Sequence, residues 1–170
     1  ELVVGPDFAM GHKRMGNVST LTTLGTEMEF SVHVVPLILE GGETIRSTSI
    51  RKAISKGDVN QTATLLDRNF VLTGIVVRGA GRGRTLGFPT ANLKVPQGMI
   101  IPGDGIYATW IHLGEKHYMS ATSIGTRPTF GKGQRTIESF ILDFNGDLYN
   151  QRIRLEFVEH LRDEIKYRSV

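Results

Sequence analysis

The stretch GAGRGRTLGFPTANL, residues 79–93, decides how the C-terminal two-thirds of the chain is interpreted. It follows a predicted strand and carries four glycines within nine residues. Glycine lets successive backbone N–H groups turn toward one concavity, which forms a site for an anion. The loop alone slightly favours a flexible surface turn over a phosphate-binding loop, but the following Pro89-Thr90-Ala91-Asn92 favours phosphate binding. The candidate phosphate-binding residues are Gly79, Gly81, Arg82, Gly83 and Arg84.

Two familiar phosphate-binding loops do not account for this stretch. The dinucleotide motif G-x-G-x-x-G fails because Arg84 stands where the last glycine is required. The motif G-x-x-x-x-G-K-[ST] fails throughout the chain, because the Gly131-Lys132 pair is followed by Gly133. The phosphate site, if present, belongs to neither of these classes.

The end of the stretch, Pro89-Thr90-Ala91-Asn92, suggests a metal site. In an extended segment, side chains two residues apart point to the same side, so Thr90 and Asn92 would present a hydroxyl and an amide oxygen together. Magnesium in phosphoryl transfer is usually held by few protein oxygens, with substrate phosphates completing its shell. We expect Thr90 and Asn92 to bind Mg²⁺; the alternative is local hydrogen bonding to the backbone in a turn.

Outward from this stretch, the C-terminal part of the chain is typical of strands joined by glycine-rich turns. Asn145-Gly146 predicts a hairpin between the last two strands, and a late helix is expected from Leu161 to Tyr167. Short strands with few helices favour a small antiparallel barrel that begins near residue 67. The predicted strands are Val71–Val77, Gly105–Leu113, Lys116–Ile124, Thr136–Phe144 and Arg152–His160.

The first third of the chain has the pattern of mixed α/β structure. Leu2–Val4 is expected to form a strand, as is the alternating segment Phe30–Val34. Ser47 is a candidate cap for a helix that reaches Lys56, where Gly57 would end it, and Asp58 would cap a second helix through Leu66.

A carboxylate in the fourth predicted strand is a candidate general base. Glu138, Phe140, Leu142 and Phe144 share one face, and Ile137, Ser139, Ile141 and Asp143 share the other. The more apolar face should line the barrel interior, which makes Glu138 an inward-facing carboxylate. Partial desolvation at the barrel mouth would make it a base for an attacking hydroxyl. The alternative, equally favoured by the pattern, is a Glu paired with an Arg at the strand end.

Composition excludes several classes of protein. The 170 residues suffice for one ordinary domain and a small one, and the absence of cysteine excludes disulfides and thiolate catalysis. No apolar run approaches the ~20 residues that span a bilayer. The N-terminus has neither a signal-peptide pattern nor an initiator Met, so we expect a fragment or the ordered part of a longer chain. The absence of cysteine is compatible with a reducing cytoplasm, which is the expected location. The net charge of +3 suits anionic partners such as nucleotides.

Taken together, the motifs resemble those of the bacterial bifunctional riboflavin kinase/FMN adenylyltransferase family, also called FAD synthetase. The most specific match is Gly83-Arg84-Thr85-Leu86-Gly87-Phe88-Pro89-Thr90-Ala91-Asn92-Leu93. Further matches follow in the expected order, and the resemblance covers essentially the whole chain. They are Gly105-Ile106-Tyr107-Ala108, Ile124-Gly125-Thr126-Arg127-Pro128-Thr129-Phe130, Glu138 with Leu142-Asp143-Phe144, Asp147-Leu148-Tyr149, and Leu161-Arg162-Asp163-Glu164-Ile165-Lys166-Tyr167.

The resemblance implies an α+β chain. Its C-terminal module, residues 67–170, would be a six-stranded antiparallel Greek-key barrel with riboflavin kinase activity. Residues 1–66 would be the later part of an α/β nucleotidyltransferase module. By resemblance, Thr90 and Asn92 bind Mg²⁺ and ATP phosphates, and Glu138 is the base. The expected flavin-binding residues are Thr126, Arg127, Pro128, Arg162 and Tyr167, and the expected adenylyltransferase nucleotide-binding residues are Arg14, Ser47, Thr48 and Arg51.

Two departures bear on the adenylyltransferase. The family often has Ser where this chain has Arg46, and Gly-Arg-Pro where it has Asp67-Arg68-Asn69. The opening motif Gly-x-Phe-Asp-Gly-x-His-x-Gly-His does not occur in these 170 residues. We therefore expect adenylyl transfer from the full-length parent and not from this chain alone.

The resulting hypothesis is an enzyme that transfers the γ-phosphate of ATP to riboflavin. Its expected partners are these small molecules and Mg²⁺, without nucleic acid or membrane, and weak self-association is left open. The alternative is a basic barrel that binds single-stranded nucleic acid through the Gly-Arg loop. Aromatic residues make up only 8% of the chain and none interleaves with Arg82 and Arg84, which counts against that alternative.

Overall fold

The N-terminal part of the chain forms short strands around one helix. The computed structural model describes residues 1–79, 88–126 and 135–164. It contains two compact units, Glu1–Arg46 and Ser47–Val170, which are treated separately. The elements of the first unit are β1 (Leu2–Val4), β2 (Ala9–Met10), β3 (Gly16–Asn17), α1 (Val18–Glu27), β4 (Val32–Val34), β5 (Leu39–Glu40) and β6 (Glu43–Thr44), with a 3-10 turn at His12–Arg14.

Helix α1 packs closely against the segment that leads into β4. Asn17 caps the helix by accepting a hydrogen bond from the Thr20 backbone N–H at 3.0 Å. Gly25 is buried, and any Cβ there would overlap the carbonyl oxygen of Phe30. Strands β1 and β4 pair in parallel from Leu2↔Val32 onward. The predicted strands at Leu2–Val4 and around Val32 are thus confirmed.

The second unit begins with two helices and continues as strands. The predicted helix at Ser47–Lys56 and its successor, capped by Asp58, are confirmed: the Asp58 carboxylate accepts from the Gln61 N–H at 2.9 Å. The elements are α2 (Ser47–Lys56), α3 (Val59–Leu66), β7 (Phe70–Val77), β8 (Thr90–Lys94), β9 (Gly105–Leu113), β10 (Lys116–Thr126), β11 (Arg135–Ile141) and β12 (Arg152–Arg162).

Within the described residues, six strands close into a barrel in the order β10-β11-β8-β7-β12-β9. Every neighbouring pair is antiparallel. β9, β10 and β11 follow one another, and β12 returns to lie beside β9, which is the Greek-key arrangement. The expected fold class is therefore confirmed.

The strand directions define two ends of the barrel. At the first, here called the Gly-Arg end, β7 and β11 end and β8 and β12 begin. At the second, here called the helix end, β8, β10 and β12 end and β9 and β11 begin. Helix α3 packs against β7 and β12. The Asn60 amide donates to the Glu159 carboxylate at 2.9 and 3.0 Å, near the end of β12.

Tyr107 joins the helices to the barrel at the helix end. Its side chain is fully buried, and its hydroxyl donates to the Gly103 carbonyl at 2.6 Å. A Cβ at Gly57, where φ is +78°, would overlap that hydroxyl. Because these contacts attach α2 and α3 to the barrel, the compact unit begins at Ser47, whereas the predicted module boundary lies near residue 67. The assignment of residues 1–66 to a nucleotidyltransferase module stays a prediction.

The barrel interior combines large apolar side chains with a chain of hydroxyls. Thr109 Oγ1 lies 2.7 Å from both Ser120 Oγ and Thr122 Oγ1, and Thr122 Oγ1 lies 2.8 Å from Ser139 Oγ. These four side chains are buried, and their hydrogen bonds satisfy one another. The largest fully buried apolar neighbours are Leu72, Ile111, Ile124, Ile153, Leu155 and Phe157.

Two local predictions about the connection after β11 are wrong. The strand ends at Ile141 and not at Phe144, because Asp143 adopts a left-handed conformation with φ 52°. Asn145-Gly146 does not form a hairpin, since β12 pairs with β7 and β9 and not with β11. Leu148, in the connection between β11 and β12, is buried in the core. The connection therefore crosses the Gly-Arg end of the barrel.

The predicted late helix is also wrong in its described part. β12 continues to Arg162, where it still pairs with Ile106 of β9, and residues 163–164 are not helical. Ladder hydrogen bonds to β9 thus hold the chain extended beyond the predicted start at Leu161. The remaining residues of the predicted helix, from 165, lie outside the described part of the chain.

Replacing Tyr107 by Phe should lower the free energy of unfolding at pH 7 by ~1 kcal/mol, the net contribution of one hydrogen bond. Burial raises the pKa of Tyr107 from 10.0 to about 12. The folded wild type therefore keeps a proton that the unfolded chain loses, and its stability falls as pH rises from 10.0 toward 12. The Phe variant lacks this loss. The difference in free energy of unfolding between the two proteins, measured by urea unfolding, should be smaller at pH 11 than at pH 7. An equal difference at both pH values would contradict this prediction.

Candidate functional site

Thr90, Asn92 and Glu138 lie side by side on the outer wall of the barrel. They stand on the neighbouring strands β8 and β11, where Glu138 is the cross-strand partner of Asn92 and Phe140 that of Thr90. The Thr90 hydroxyl donates to Glu138 Oε2 at 3.4 Å. The structure thus brings together the hydroxyl, the amide and the carboxylate that the sequence analysis singled out separately.

The predicted inward orientation of Glu138 is wrong. Ile137, Ser139 and Ile141 are the buried residues of β11, whereas Glu138 and Phe140 lie on the partly exposed face. The face of Ile137, Ser139, Ile141 and Asp143 was expected outside because it is the less apolar of the two. Inside the barrel, however, Ser139 lies within hydrogen-bonding distance of Thr122, so its hydroxyl is satisfied there. The site is therefore built on the outer wall and not in the barrel mouth.

Thr136 is a site residue that the sequence analysis did not select. Its hydroxyl donates to Glu138 Oε1 at 3.2 Å. Thr136 precedes Glu138 by two residues in β11, so both side chains project from the same face of the strand. The spacing of two residues is visible in the sequence. It indicates a contact between Thr136 and Glu138 only when both are known to lie on the outer wall.

The absence of a side chain at Gly79 leaves space for the Asn92 side chain. A Cβ at Gly79 would overlap the Nδ2, Cγ and Oδ1 atoms of Asn92. Val77, two residues earlier, is the cross-strand partner of Asn92, so the end of β7 runs directly beside the amide. The predicted phosphate-loop residue Gly79 and the predicted metal ligand Asn92 are thus neighbours.

The donor set on the outer wall fits a hard cation. It offers hydroxyl, amide and carboxylate oxygens, the ligand types that Mg²⁺ takes from proteins. Within residues 1–79, 88–126 and 135–164, His, Asp and Glu side chains do not form a group of three that could enclose a metal ion. A cation here would therefore be held by few protein oxygens, with the rest of its shell supplied by a ligand.

Two grooves flank the three side chains, one toward each end of the barrel. The groove toward the Gly-Arg end has a volume of about 880 Å³, and its lining includes Pro89, Thr90, Phe140, Asp143, Asp147 and Tyr149. The groove toward the helix end has a volume of about 920 Å³, and its lining includes Gly79, Asn92, Lys94, Met99, Arg135 and Thr136. Each is large enough for a small-molecule ligand.

Aromatic side chains border the first groove. Phe88 is 61% exposed and packs edge-on against Phe140, with ring centroids 5.4 Å apart. The Arg78 guanidinium lies over the Tyr149 ring at 5.6 Å. The aromatic rings at this groove suit a planar ligand, whereas Arg78 itself lines the other groove.

The predicted flavin-binding residues within the described chain lie at the helix end. Thr126 ends β10 opposite Arg135, and Arg162 ends β12. A Cβ at Gly125 would overlap the Glu164 carboxylate, so the segment after β12 approaches β10 there. The predicted residues Arg127, Pro128 and Tyr167 lie outside the described residues, as do Gly81, Arg82, Gly83 and Arg84.

The four predicted adenylyltransferase residues are divided between the two units. In the first, the Arg14 guanidinium donates to the Asp7 carbonyl at 3.3 Å beside a small pocket of about 420 Å³. In the second, Ser47 and Thr48 begin α2, and the Arg51 guanidinium donates to Ser47 Oγ at 3.2 Å.

Comparisons with known proteins identify two families along the chain. A family model described as riboflavin kinase matches residues 66–170, and one described as FAD synthetase matches residues 1–49. The bifunctional riboflavin kinase/FMN adenylyltransferases of Listeria monocytogenes and Escherichia coli K12 are 33% and 35% identical over 170 residues, 99% of this chain. They align over 54% of their own length, so the chain spans about half the length of the curated relatives it matches.

A solved structure also matches nearly the whole of this chain and about half of its own length. The structure titled "Crystal Structure of Macrolide-efflux Protein from Streptococcus pneumoniae" has a TM-score of 0.82 and 32% identity, over 98% of this chain and 53% of that chain. In the part of the present chain that the structure describes, no helix has the length and apolar character to cross a membrane.

Replacing Gly79 by Ala should displace the Asn92 side chain and destabilise the fold by ~1–3 kcal/mol, the usual effect of overpacking. The Asn92 side-chain amide resonances in an ¹⁵N–¹H NMR spectrum should shift, and the urea midpoint should fall. Gly5→Ala is the matched control, because a Cβ there meets Asp7 Oδ1 at an ordinary 3.5 Å. Unchanged Asn92 resonances in the Gly79 variant would show that the amide does not depend on this glycine.

Proposed function

The chain belongs to the riboflavin kinase family, and on that basis we propose that it transfers the γ-phosphate of ATP to the 5′-hydroxyl of riboflavin, giving FMN. The observation that carries the proposal is the contact between Thr90 and Glu138, 3.4 Å from Oγ1 to Oε2, on adjacent strands. Phosphoryl transfer requires little from a protein beyond positioning and charge neutralisation. A base next to a cation-binding hydroxyl, between two grooves, meets that requirement.

Thr90 and Asn92 would hold Mg²⁺ through Oγ1 and Oδ1. When bound, the ion would neutralise phosphate charge during transfer. Both residues project from the outer face of β8, and Gly79 keeps the amide in place. Because the strand pairs on both sides, with β7 and β11, these two oxygens are presented by a rigid element.

We assign ATP to the Gly-Arg end of the barrel. The segment 80–87 joins β7 to β8 there, and the connection from β11 to β12 crosses the same end. The groove there has aromatic walls that suit an adenine ring. Gly81, Arg82, Gly83 and Arg84 would bind the phosphates.

We assign riboflavin to the groove toward the helix end. The segment 127–134 joins β10 to β11 there, and the chain after β12 continues from the same end. The closeness of Glu164 to Gly125 supports a cover over this side of the site. The flavin contacts proposed for Thr126, Arg127, Pro128, Arg162 and Tyr167 all belong to these two segments or their borders.

Glu138 would then act between the two substrates. Its carboxylate would accept a hydrogen bond from the riboflavin 5′-hydroxyl and take that proton as the oxygen attacks the γ-phosphorus. The new P–O bond forms as the bond between the γ-phosphorus and the β–γ bridging oxygen breaks, and ADP leaves with the bridging oxygen. The carboxylate needs to hold only one proton in each turnover, which it then passes to solvent.

Membership of a kinase family and the two grooves support phosphotransfer over single-stranded nucleic-acid binding. We propose small-molecule partners, without nucleic acid or membrane, and a reaction in the cytoplasm, where ATP is supplied. Phosphotransfer predicts ATP consumption that depends on riboflavin. Nucleic-acid binding predicts an affinity for oligonucleotides that falls steeply as the salt concentration rises.

We also propose that FMN adenylylation belongs to a longer protein of this family. The model described as FAD synthetase matches residues 1–49 only, and the opening motif expected for that activity is not in the sequence. Arg14, Ser47, Thr48 and Arg51 would contribute nucleotide contacts in that longer protein.

Glu138→Gln should lower kcat for riboflavin phosphorylation by ~10²–10⁴-fold, the usual contribution of a general base. ATP affinity should change by about twofold or less, because the amide keeps the size of the side chain and remote binding contacts stay. Steady-state kinetics with FMN detection and a separate ATP titration measure the two effects.

The matched control is Glu115→Gln, which changes an exposed carboxylate in the turn between β9 and β10. It should behave like the wild type. Wild-type turnover in Glu138→Gln would overturn the assignment of the base, while a wild-type protein that makes no FMN would overturn the proposed function itself.

Incubating this chain with ATP and FMN should yield little or no FAD, whereas ATP and riboflavin should yield FMN. Separation of the flavins by chromatography with fluorescence detection distinguishes the products. Formation of FAD at a rate comparable to that of FMN would show that the present residues suffice for adenylyl transfer.

A further inference from the structure

We propose that Thr136 is a positioning residue for Glu138. Its hydroxyl holds one carboxylate oxygen, and the other oxygen is thereby presented on the side of β8, beside Thr90. This inference rests on the proposed function, because it assigns Thr136 a part in the work of the base.

The two oxygens of the Glu138 carboxylate meet hydroxyls from two different strands. Thr136 Oγ1 donates to Oε1 at 3.2 Å from within β11, and Thr90 Oγ1 donates to Oε2 at 3.4 Å from β8. A glutamate side chain has three rotatable bonds, and two donors on different strands restrict all of them. The carboxylate plane is thus oriented by hydrogen bonds before any substrate arrives.

Thr136 is itself held firmly. The preceding residue, Arg135, donates through Nη2 to the Pro102 carbonyl at 2.6 Å and through Nε to Asp104 Oδ1 at 2.8 Å. These bonds tie the start of β11 to the segment before β9. The cross-strand partner of Thr136 on β10 is Gly125, and the space that a Cβ there would fill is taken by the Glu164 carboxylate. The start of β11 is therefore a stable support for the Thr136 hydroxyl.

A fixed carboxylate matters for proton transfer because a displacement of about 1 Å can lower a rate by about 10²-fold. Each carboxylate oxygen has two acceptor positions, so a bond from a threonine leaves capacity for the substrate hydroxyl. Thr136 also lines the groove assigned to riboflavin, but its hydroxyl is bonded to Glu138. Replacing Thr136 by Val, which has a similar volume, would let the carboxylate rotate while the groove keeps its shape. The expected result is a lower kcat with nearly unchanged KM values.

The test compares Thr136→Val and Thr136→Ala with Thr136→Ser. Val removes the hydroxyl and keeps the side-chain volume, Ala removes the hydroxyl and reduces the volume, and Ser keeps the hydroxyl. We expect kcat for riboflavin phosphorylation to fall by about tenfold or more in Val and Ala, with both KM values within about threefold, and Ser to restore kcat to within about threefold. Thr73→Val, on the outer face of β7, is the matched control and should leave kcat unchanged.

A double-mutant cycle with Glu138→Gln distinguishes positioning from a general structural effect. If Thr136 acts through the carboxylate, Thr136→Val should lower the residual rate of the Glu138→Gln variant by less than about twofold. An equal loss in both backgrounds, a wild-type kcat in Val and Ala, or failure of Ser to restore kcat would each overturn the inference. If the wild type made no FMN, the proposed function would fail first; if it made FMN and Thr136→Ala were fully active, only this inference would fail.

Discussion

The pairing of β8 with β11 is the constraint on which the candidate site depends. It places Asn92 opposite Glu138 and Thr90 opposite Phe140, so that two proposed cation ligands and one proposed base share one patch of the outer wall. A shift of this register by one residue would turn Glu138 into the barrel and bring Ser139 out. Barrel closure prevents that shift, because each strand is hydrogen-bonded on both sides.

The hydroxyl chain inside the barrel explains why this register is the stable one. Ser139 lies 2.8 Å from Thr122, which lies 2.7 Å from Thr109, so a polar residue of β11 is satisfied in the core. A buried carboxylate in its place would need a partner of opposite charge or several donors. The orientation of β11 with the Ser139 hydroxyl inside and the Glu138 carboxylate outside is therefore the stable one. A count of apolar residues on the two faces favours the opposite orientation.

The two ends of the barrel correspond to the two proposed substrates, ATP at the Gly-Arg end and riboflavin at the helix end. The Gly-Arg end holds the crossing connection from β11 to β12, and the helix end is joined to α2 and α3 through Tyr107. A site on the wall between the ends can be reached by one ligand from each direction, with Thr90, Asn92 and Glu138 at the meeting point. This arrangement leaves the packed interior undisturbed, so binding need not open the core.

The sequence by itself determined α2, α3, the approximate positions of β7, β9, β10, β11 and β12, and which residues share a face. Helix α3 with its Asp58 cap and the common side of Thr90 and Asn92 follow from local rules of capping and strand periodicity. Only the tertiary structure decided that Glu138 faces outward, that Thr136 supports it, and that β12 lies between β7 and β9 instead of beside β11. The physical reason is that periodicity relates side chains along one strand, whereas inside and outside are set by hydrogen bonds between strands distant in sequence.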